Sequence, residues 1–388
     1  MTKITLFSQI INKLNKNEFK SVANKYNGDK YNKGIDSWTH LTTMLFLHLS
    51  KANSNREVCN GLQSASGNLR HLHIQKAPCK SSLSYINAHR DWQIFSDYYY
   101  KLYESFGKTM HNARYKFKIK NKKILLLDST LISLCLSMFD WARYRKAKGA
   151  IKLHTLLDYE TSLPIFINFS DGKLSDTKAM QTMPIPSNSV IVADRAYIDF
   201  ETLYRWNCQS NNFVIRLKKN VKFKRLEERE LPDGRNENIL VDEYIELEEE
   251  GTKNKYPKKL RRVVVYDAKN DTVIELITNN FTWTAGTIAE LYKQRWSIEL
   301  FFKEIKQNLK IKTFIGTSQN AVQIQIWTAL ISILILKYLK HIAKYTWHMS
   351  NLVFFLRLNL FVKIDLQAWL DKPHEPPEPV EQELTLFN

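Results

Sequence analysis

Two short, unbroken apolar runs each end in an aspartate, and they constrain the fold more tightly than any other feature of the chain. In LLLDST, Ile124 to Leu127 precede Asp128; in VIVADRAY, Val190 to Ala193 precede Asp194. Apolar runs without polar alternation suit strands buried on both faces, as parallel strands are in α/β sheets. Such sheets gather functional side chains at the carboxyl ends of their strands. Asp128 and Asp194 are therefore candidate site residues, although aspartate is also common wherever a strand stops.

A third carboxylate lies on a helical segment, LYKQRWSIELFFKEIKQNL. Tyr292, Arg295, Glu299 and Lys306 stand three, four and seven residues apart in turn. At roughly 100° per residue they fall within about 60° of one helix face. Leu291, Ile298, Phe301, Phe302, Ile305 and Leu309 form an apolar stripe roughly 90° further round, suited to packing on a core. The plainer explanation of the polar face is i,i+4 pairing in solvent. Three carboxylates from two strand ends and a helix, if they converge, make an oxygen-rich set suited to Mg²⁺ or Mn²⁺.

These motifs carry a resemblance. Tyr292, Arg295, Glu299 and Lys306 reproduce, without departure in spacing, the tyrosine-arginine-glutamate-lysine signature of the insertion-sequence-four group, and the chain resembles the DDE-type insertion-sequence transposases. Asp128 and Asp194 match that group's first and second catalytic motifs. Through FSQI, SWTHLTTMLFLHLS and SSLSYINAHRD, the amino-terminal stretch is similar to the domain of unknown function that precedes the catalytic domain in many such proteins. The resemblance implies an α/β fold: an RNase H-like mixed sheet flanked by helices, with a β-rich insertion and a helical amino-terminal domain.

It also implies metal-dependent cleavage of DNA at insertion-sequence ends and strand transfer into target DNA. Asp128, Asp194 and Glu299 would be the catalytic, metal-binding acids, probably holding two Mg²⁺ or Mn²⁺ ions. Tyr292, Arg295 and Lys306 would grip the DNA near the cut. The implied partners are double-stranded DNA, as transposon ends and target, and a second copy of the chain as a homodimer in the synaptic complex. The implied location is the bacterial cytoplasm, at the nucleoid. The alternatives are a catalytically silent or domesticated DNA-binding relative, and a metal-dependent nuclease without strand transfer. Asp158, Asp171, Asp176 and Asp199 are neighbouring carboxylates expected to matter much less than the three acids. Lys152 and His154 stand on a neighbouring strand, where a satisfied core histidine is the expectation.

Charge agrees with a nucleic-acid partner. The 388 residues hold 57 Lys and Arg against 39 Asp and Glu, a net of +18, which favours a polyanion. Residues 1–90 hold 13 basic and 4 acidic side chains, the asymmetry of a binding domain ahead of an active one. The four cysteines contain no C-x-x-C pair, which supports neither a disulfide scaffold nor a zinc ribbon and suits a reducing cytoplasm. The most apolar run, Ile326 to Leu336, is shorter than the ~20 residues of a bilayer span and reads as a buried helix.

Along the chain, residues 1–95 read as a helical, basic DNA-binding domain. Ser54 and Glu57 form a capping box, and Ser81 or Ser82 is a candidate cap for a following helix. Paired as a helix-turn-helix, these would present Lys80, Tyr85, Asn87 and Arg90 to the major groove; an ordinary helical bundle is the competing expectation. Residues 96–123 read as a basic connecting arm in which Arg114 to Lys123 alternate cations with Tyr, Phe and Ile. Residues 124–212 and 281–370 read as the two parts of the catalytic domain, separated by a β-rich insertion at 213–280. Within the first part, Lys152 to Asp158 and Pro164 to Phe169 read as a hairpin. Residues 371–388 read as an acidic, Pro-rich, disordered tail.

Overall fold

The computed structural model describes residues 3–32, 34–65, 67–110, 119, 121–134, 139, 141, 143–145, 148–231, 238–309, 311 and 313–375. Most of the expected basic arm at 114–118 and 120, and of the acidic tail at 376–388, lies outside the described residues. The chain divides into two compact units, residues 1–112 with 304–388, and residues 113–303.

The second unit carries the sheet. Its strands are β1 (Lys123–Leu134), β2 (Arg143–Arg145), β3 (Lys148–Asp158), β4 (Leu163–Asp171), β5 (Ser189–Ala193), β6 (Asn212–Arg216), β7 (Phe223–Glu228), β8 (Ile239–Leu247), β9 (Leu260–Asp267) and β10 (Thr272–Thr278). Their order is β2-β3-β1-β5-β6-β10-β9-β8-β7, with β4 also paired to β3. The neighbours β1, β5 and β6 are parallel, whereas β1, β3 and β4 form an antiparallel meander. This is the mixed sheet expected of the RNase H-like class. Ile124 to Leu127 and all of β5 are buried, as unbroken apolar runs in parallel strands should be. Leu125, Leu127, Ile191 and Ala193 join Trp206, Phe213 and Ile215 in one core.

Three sequence expectations change here. Strand β1 does not stop at Asp128 but continues to Leu134, because β3 pairs it over that whole length. The run FVIRL, read as the start of the insertion, forms most of β6 and pairs parallel with β5. The insertion is not a separate body: β10 pairs antiparallel with β6, and β9, β8 and β7 continue the same sheet outward. Its innermost charges are satisfied internally, Arg261 donating to both Asp242 oxygens at 2.7 Å.

The first unit is helical. Its amino-terminal helices span Leu6–Ile11, Lys16–Lys25, Ser37–Ser50, Asn55–Ser64, Lys80–His89 and Gln93–Met110. Gln319–Ile342, Met349–Asn359 and Leu366–Asp371 complete it. Thr5, Asn15, Asp36, Ser54 and Ser318 each cap a helix by accepting from a backbone N–H three residues on, which satisfies a donor that would otherwise be orphaned. Residues 93–110, mostly assigned to the connecting arm, form a helix because Phe95, Tyr98, Tyr99, Leu102 and Phe106 recur at helical spacing and are buried. Helix Gln319–Ile342 is long and apolar enough to cross a membrane by length and composition, but 89% of its apolar window is buried inside the protein.

A helix-turn-helix is not formed at residues 54–90. Fifteen residues, including a 3₁₀ turn at Leu69–Leu72, separate helices Asn55–Ser64 and Lys80–His89, far more than the motif's three- or four-residue turn. Cys79, not Ser81 or Ser82, stands at the position before the second helix, and its side chain makes no capping hydrogen bond.

Candidate active site

Asp128 and Asp194 stand on neighbouring strand paths at matching depth. The last parallel partners of β1 and β5 are Leu127 and Ala193, so each aspartate comes directly after the end of the ladder between strands about 4.8 Å apart, Asp128 within β1 and Asp194 just past β5. Asp128 Oδ1 accepts from the N–H of Ser129 at 2.8 Å. Burial pushes the Asp128 carboxyl up to about 6, with Glu299 and Asp176 adding to the rise and Ser129 and Arg295 opposing it. Asp194 immediately precedes a 3₁₀ turn at Arg195–Tyr197, which its side chain does not cap, and its Oδ1 accepts from the Tyr292 hydroxyl at 3.2 Å. Burial and the Asp194 charge push that phenol up to about 12.

The third acid reaches the pair through an arginine. Arg295 Nη2 lies 2.6 Å from Glu299 Oε1, and Nη1 lies 3.5 Å from Asp128 Oδ2. All three side chains are largely shielded, 17%, 33% and 21% exposed for Arg295, Glu299 and Asp128, so the pairing is stronger than on an open surface. The single helix expected across Tyr292 to Lys306 is interrupted. Helices Ala285–Gln294 and Trp296–Asn308 meet at Arg295, where the backbone makes three-residue rather than four-residue bonds. Tyr292 thus serves Asp194 while Arg295 and Glu299 pair one turn later. Lys306 lies two turns further on the same helix, half-buried, in the other compact unit. The expected apolar stripe, Leu291, Ile298, Phe301, Phe302, Ile305 and Leu309, is buried throughout.

Three carboxylates are the donor chemistry that a hard divalent cation takes, and one of them, Asp128, is desolvated enough that a nearby positive charge relieves it. In this arrangement Arg295 supplies that charge. Among the described residues, no group of three or more His, Cys, Asp or Glu side chains is gathered tightly enough to hold a metal ion.

A fourth carboxylate, Asp176, which the sequence places among the neighbouring acids of lesser weight, is held by a network of hydrogen bonds. Asp176 begins helix Asp176–Gln181. Its Oδ1 accepts from Ser129 Oγ at 2.6 Å and from the Tyr197 hydroxyl at 3.1 Å, and its Oδ2 accepts from Lys152 Nζ at 2.9 Å. Burial alone would raise its carboxyl, but the adjacent His154 ring, hydrogen bonds from Ser129 and Lys152, and the Lys152 charge outweigh that and hold it below the usual carboxylate range. His154 Nδ1 stands 3.5 Å away, at the limit of a hydrogen bond, while Nε2 pairs with Ser170 Oγ at 2.9 Å. A signal existed in the sequence: Lys152 and His154 are two apart on β3 and so share a face, but nothing local pointed that face at Asp176.

Of the amino-terminal contacts expected with DNA, Lys80 is exposed at the start of its helix and Tyr85 is 64% exposed. Arg90 is buried, and its guanidinium donates to the carbonyls of Gly28, Ile35 and Asp36. It closes a loop instead of reaching a groove. Asn87 is likewise buried, 2.7 Å from His40 Nε2.

A Transposase DDE domain model matches residues 119–335, more than half of the chain, and a domain of unknown function (DUF4372) matches residues 2–75. The chain is 33% identical to the probable transposase for insertion sequence element IS5377 of Geobacillus stearothermophilus over 56% of its own length and 57% of that relative's, less than two thirds of it. It is 29% identical to the putative transposase y4zB of Sinorhizobium fredii over 78% of this chain and 82% of the relative. It is also 29% identical to the putative transposase for insertion sequence element IS4SA of Synechocystis sp., over 75% and 80%. A slighter likeness, TM-score 0.42 at 12% identity over 97% of this chain and 81% of the other, is to the cryo-EM structure of a piggyBac transposase synaptic complex with hairpin DNA; it carries no argument.

Proposed function

We propose, from the premise that this chain belongs to the family of transposases with a DDE domain, that it is a DNA transposase that cuts phosphodiesters at the ends of an insertion sequence and joins the freed 3′ ends to target DNA. The observation that supports this reading is the placement of Asp128 and Asp194 directly after the end of the parallel β1–β5 ladder, with Glu299 tied to Asp128 through Arg295. Asp128, Asp194 and Glu299 would hold two Mg²⁺ or Mn²⁺ ions, which would supply charge neutralisation at the scissile phosphate.

The chain's own side chains do the rest. Arg295, carrying a fork of donors, grips a phosphate once the acids no longer need it as a counter-charge. Tyr292 hydrogen-bonds Asp194 and orients it, and its hydroxyl adds a contact to the DNA backbone. Lys306 and, in the helical unit, Lys80 bind phosphates without reading sequence. The partners are double-stranded DNA, as element ends and target, and a second copy of the chain, since two ends are cut and joined together. The site of action is the cytoplasm, at the nucleoid.

The test is divalent-ion-dependent nicking and joining of DNA that carries the element's own terminal repeats, with Glu299→Gln as the comparison. Activity in the intact protein and binding without chemistry in the variant support the reading; equal activity in both removes Glu299 from the mechanism. Binding without chemistry in both marks a catalytically silent relative, and cutting without joining marks a nuclease.

A further inference from the structure

The parallel ladder between β1 and β5 ends at Leu127 and Ala193, so no backbone hydrogen bond between these strands fixes Asp128 relative to Asp194. A side chain spans that gap. Asp176 accepts from Ser129, the residue after the first acid, and from Tyr197, the last residue of the 3₁₀ turn that Asp194 precedes. Adjacent strand residues point to opposite faces. Ser129 therefore meets Asp176 behind the strand, while its N–H holds Asp128 Oδ1 on the front. Tyr197 is 1% exposed, which leaves it little freedom. The neighbouring Thr177 adds a hydrogen bond to the carbonyl of Ala196 at 3.2 Å, and Lys152 anchors the other carboxylate oxygen to β3.

We propose that Asp176 is a positioning residue for the reaction, fixing the spacing of Asp128 and Asp194 by joining the residue after the first to the turn after the second. The proposal rests on the assignment of those two acids under the proposed function. Only an acceptor with two oxygens takes two hydroxyls and an ammonium at once. Asparagine offers one oxygen, and its amide turns a donor toward Lys152 or toward the hydroxyls. Losing a partner that orients a ligand, without losing the ligand, typically weakens metal affinity by ~10- to 100-fold.

The experiment uses the full chain and titrates Mn²⁺, read by the electron paramagnetic resonance of the free ion, with a parallel measurement of terminal-repeat DNA binding in EDTA. Asp176→Asn is expected to bind Mn²⁺ ~10- to 100-fold more weakly with unchanged DNA binding, a split that general unfolding does not give. Ser129→Ala and Tyr197→Phe remove one hydrogen bond each, leave the Lys152 ion pair in place, and are expected to show smaller losses of the same kind. They decide the question should Asp176→Asn fail to fold. Asp199→Asn is the control, because Asp199 caps helix Phe200–Cys208 and accepts from Thr202 and Gln181. Mn²⁺ affinity within twofold of the intact protein in all three network variants, or an equal loss in Asp199→Asn, overturns the proposal. An intact protein that neither binds Mn²⁺ nor nicks DNA overturns the assignment of the acids, and this proposal with it.

Discussion

At the scale of single residues, Arg295 decides the electrostatics of the site. Asp128 is largely desolvated, and the nearby Glu299 adds to the cost of ionising it; the guanidinium between them offsets that cost. Arg295→Gln leaves two carboxylates facing each other without a counter-charge. The pair is neither fully buried nor open, so the expected loss of stability in EDTA is about 1–3 kcal/mol, between the values for exposed and buried ion pairs. The same vacancy is more attractive to a cation. Thermal melts with and without Mn²⁺ are therefore expected to show a lower starting point for Arg295→Gln and a larger upward shift on adding the ion. An equal shift in both proteins would show that Arg295 does not stand in for a metal.

At the scale of elements, helix Ser37–Ser50 shows what a buried polar residue costs. Its side chains are buried on every face from Ser37 to Leu49, including His40 and His48. His48 Nε2 lies 3.1 Å from Thr328 Oγ1 and His40 Nε2 lies 2.7 Å from Asn87. Burial holds both imidazoles down at about 3, with Arg90 also pressing on His40. Each folded value lies below the unfolded value of about 6.5, so the stability conferred is complete above about pH 6.5 and is lost as the pH falls toward 3. At pH 5 each histidine should withdraw about 2 kcal/mol, and His48→Gln should flatten the fall of melting temperature between pH 8 and pH 5; an unchanged slope refutes it. Sequence made the helix legible but not this burial, since alternating threonines and histidines imply a wetter face. The same division runs through the site. Runs such as Ile124 to Leu127 announce buried strands because composition encodes burial directly. The extension of β1 to Leu134, the place of β6 beside β5, and the break at Arg295 depend on which strand pairs with which and on one residue's backbone bonds, and the local sequence carries neither. Asp176 ranks below the three acids in the sequence for the same reason: its partners come from three segments that only the fold brings together.

At the scale of the whole molecule, the excess charge is not confined to the amino-terminal residues that first suggested a binding domain. Residues 1–112 with 304–388 carry 24 Lys and Arg against 14 Asp and Glu, a net of +10, and residues 113–303 carry 33 against 25, a net of +8. Much of the acidity in the sheet unit is internally paired, as in Arg261 with Asp242 and Arg262 with Glu243. Among the three acids, Arg295 already neutralises part of the negative charge. Both units therefore present a field that favours a polyanion, and neither needs base-specific contacts to do so. If phosphates on both units' surfaces share the load, affinity for DNA should fall by roughly 10³-fold or more between 50 and 200 mM salt, the behaviour of a protein that makes at least about six phosphate contacts. Removing one surface cation, as in Lys80→Ala, should lower the salt slope by about one without changing sequence preference. A salt slope shallower than about two would confine the contacts to a single small patch and would remove the helical unit from DNA binding.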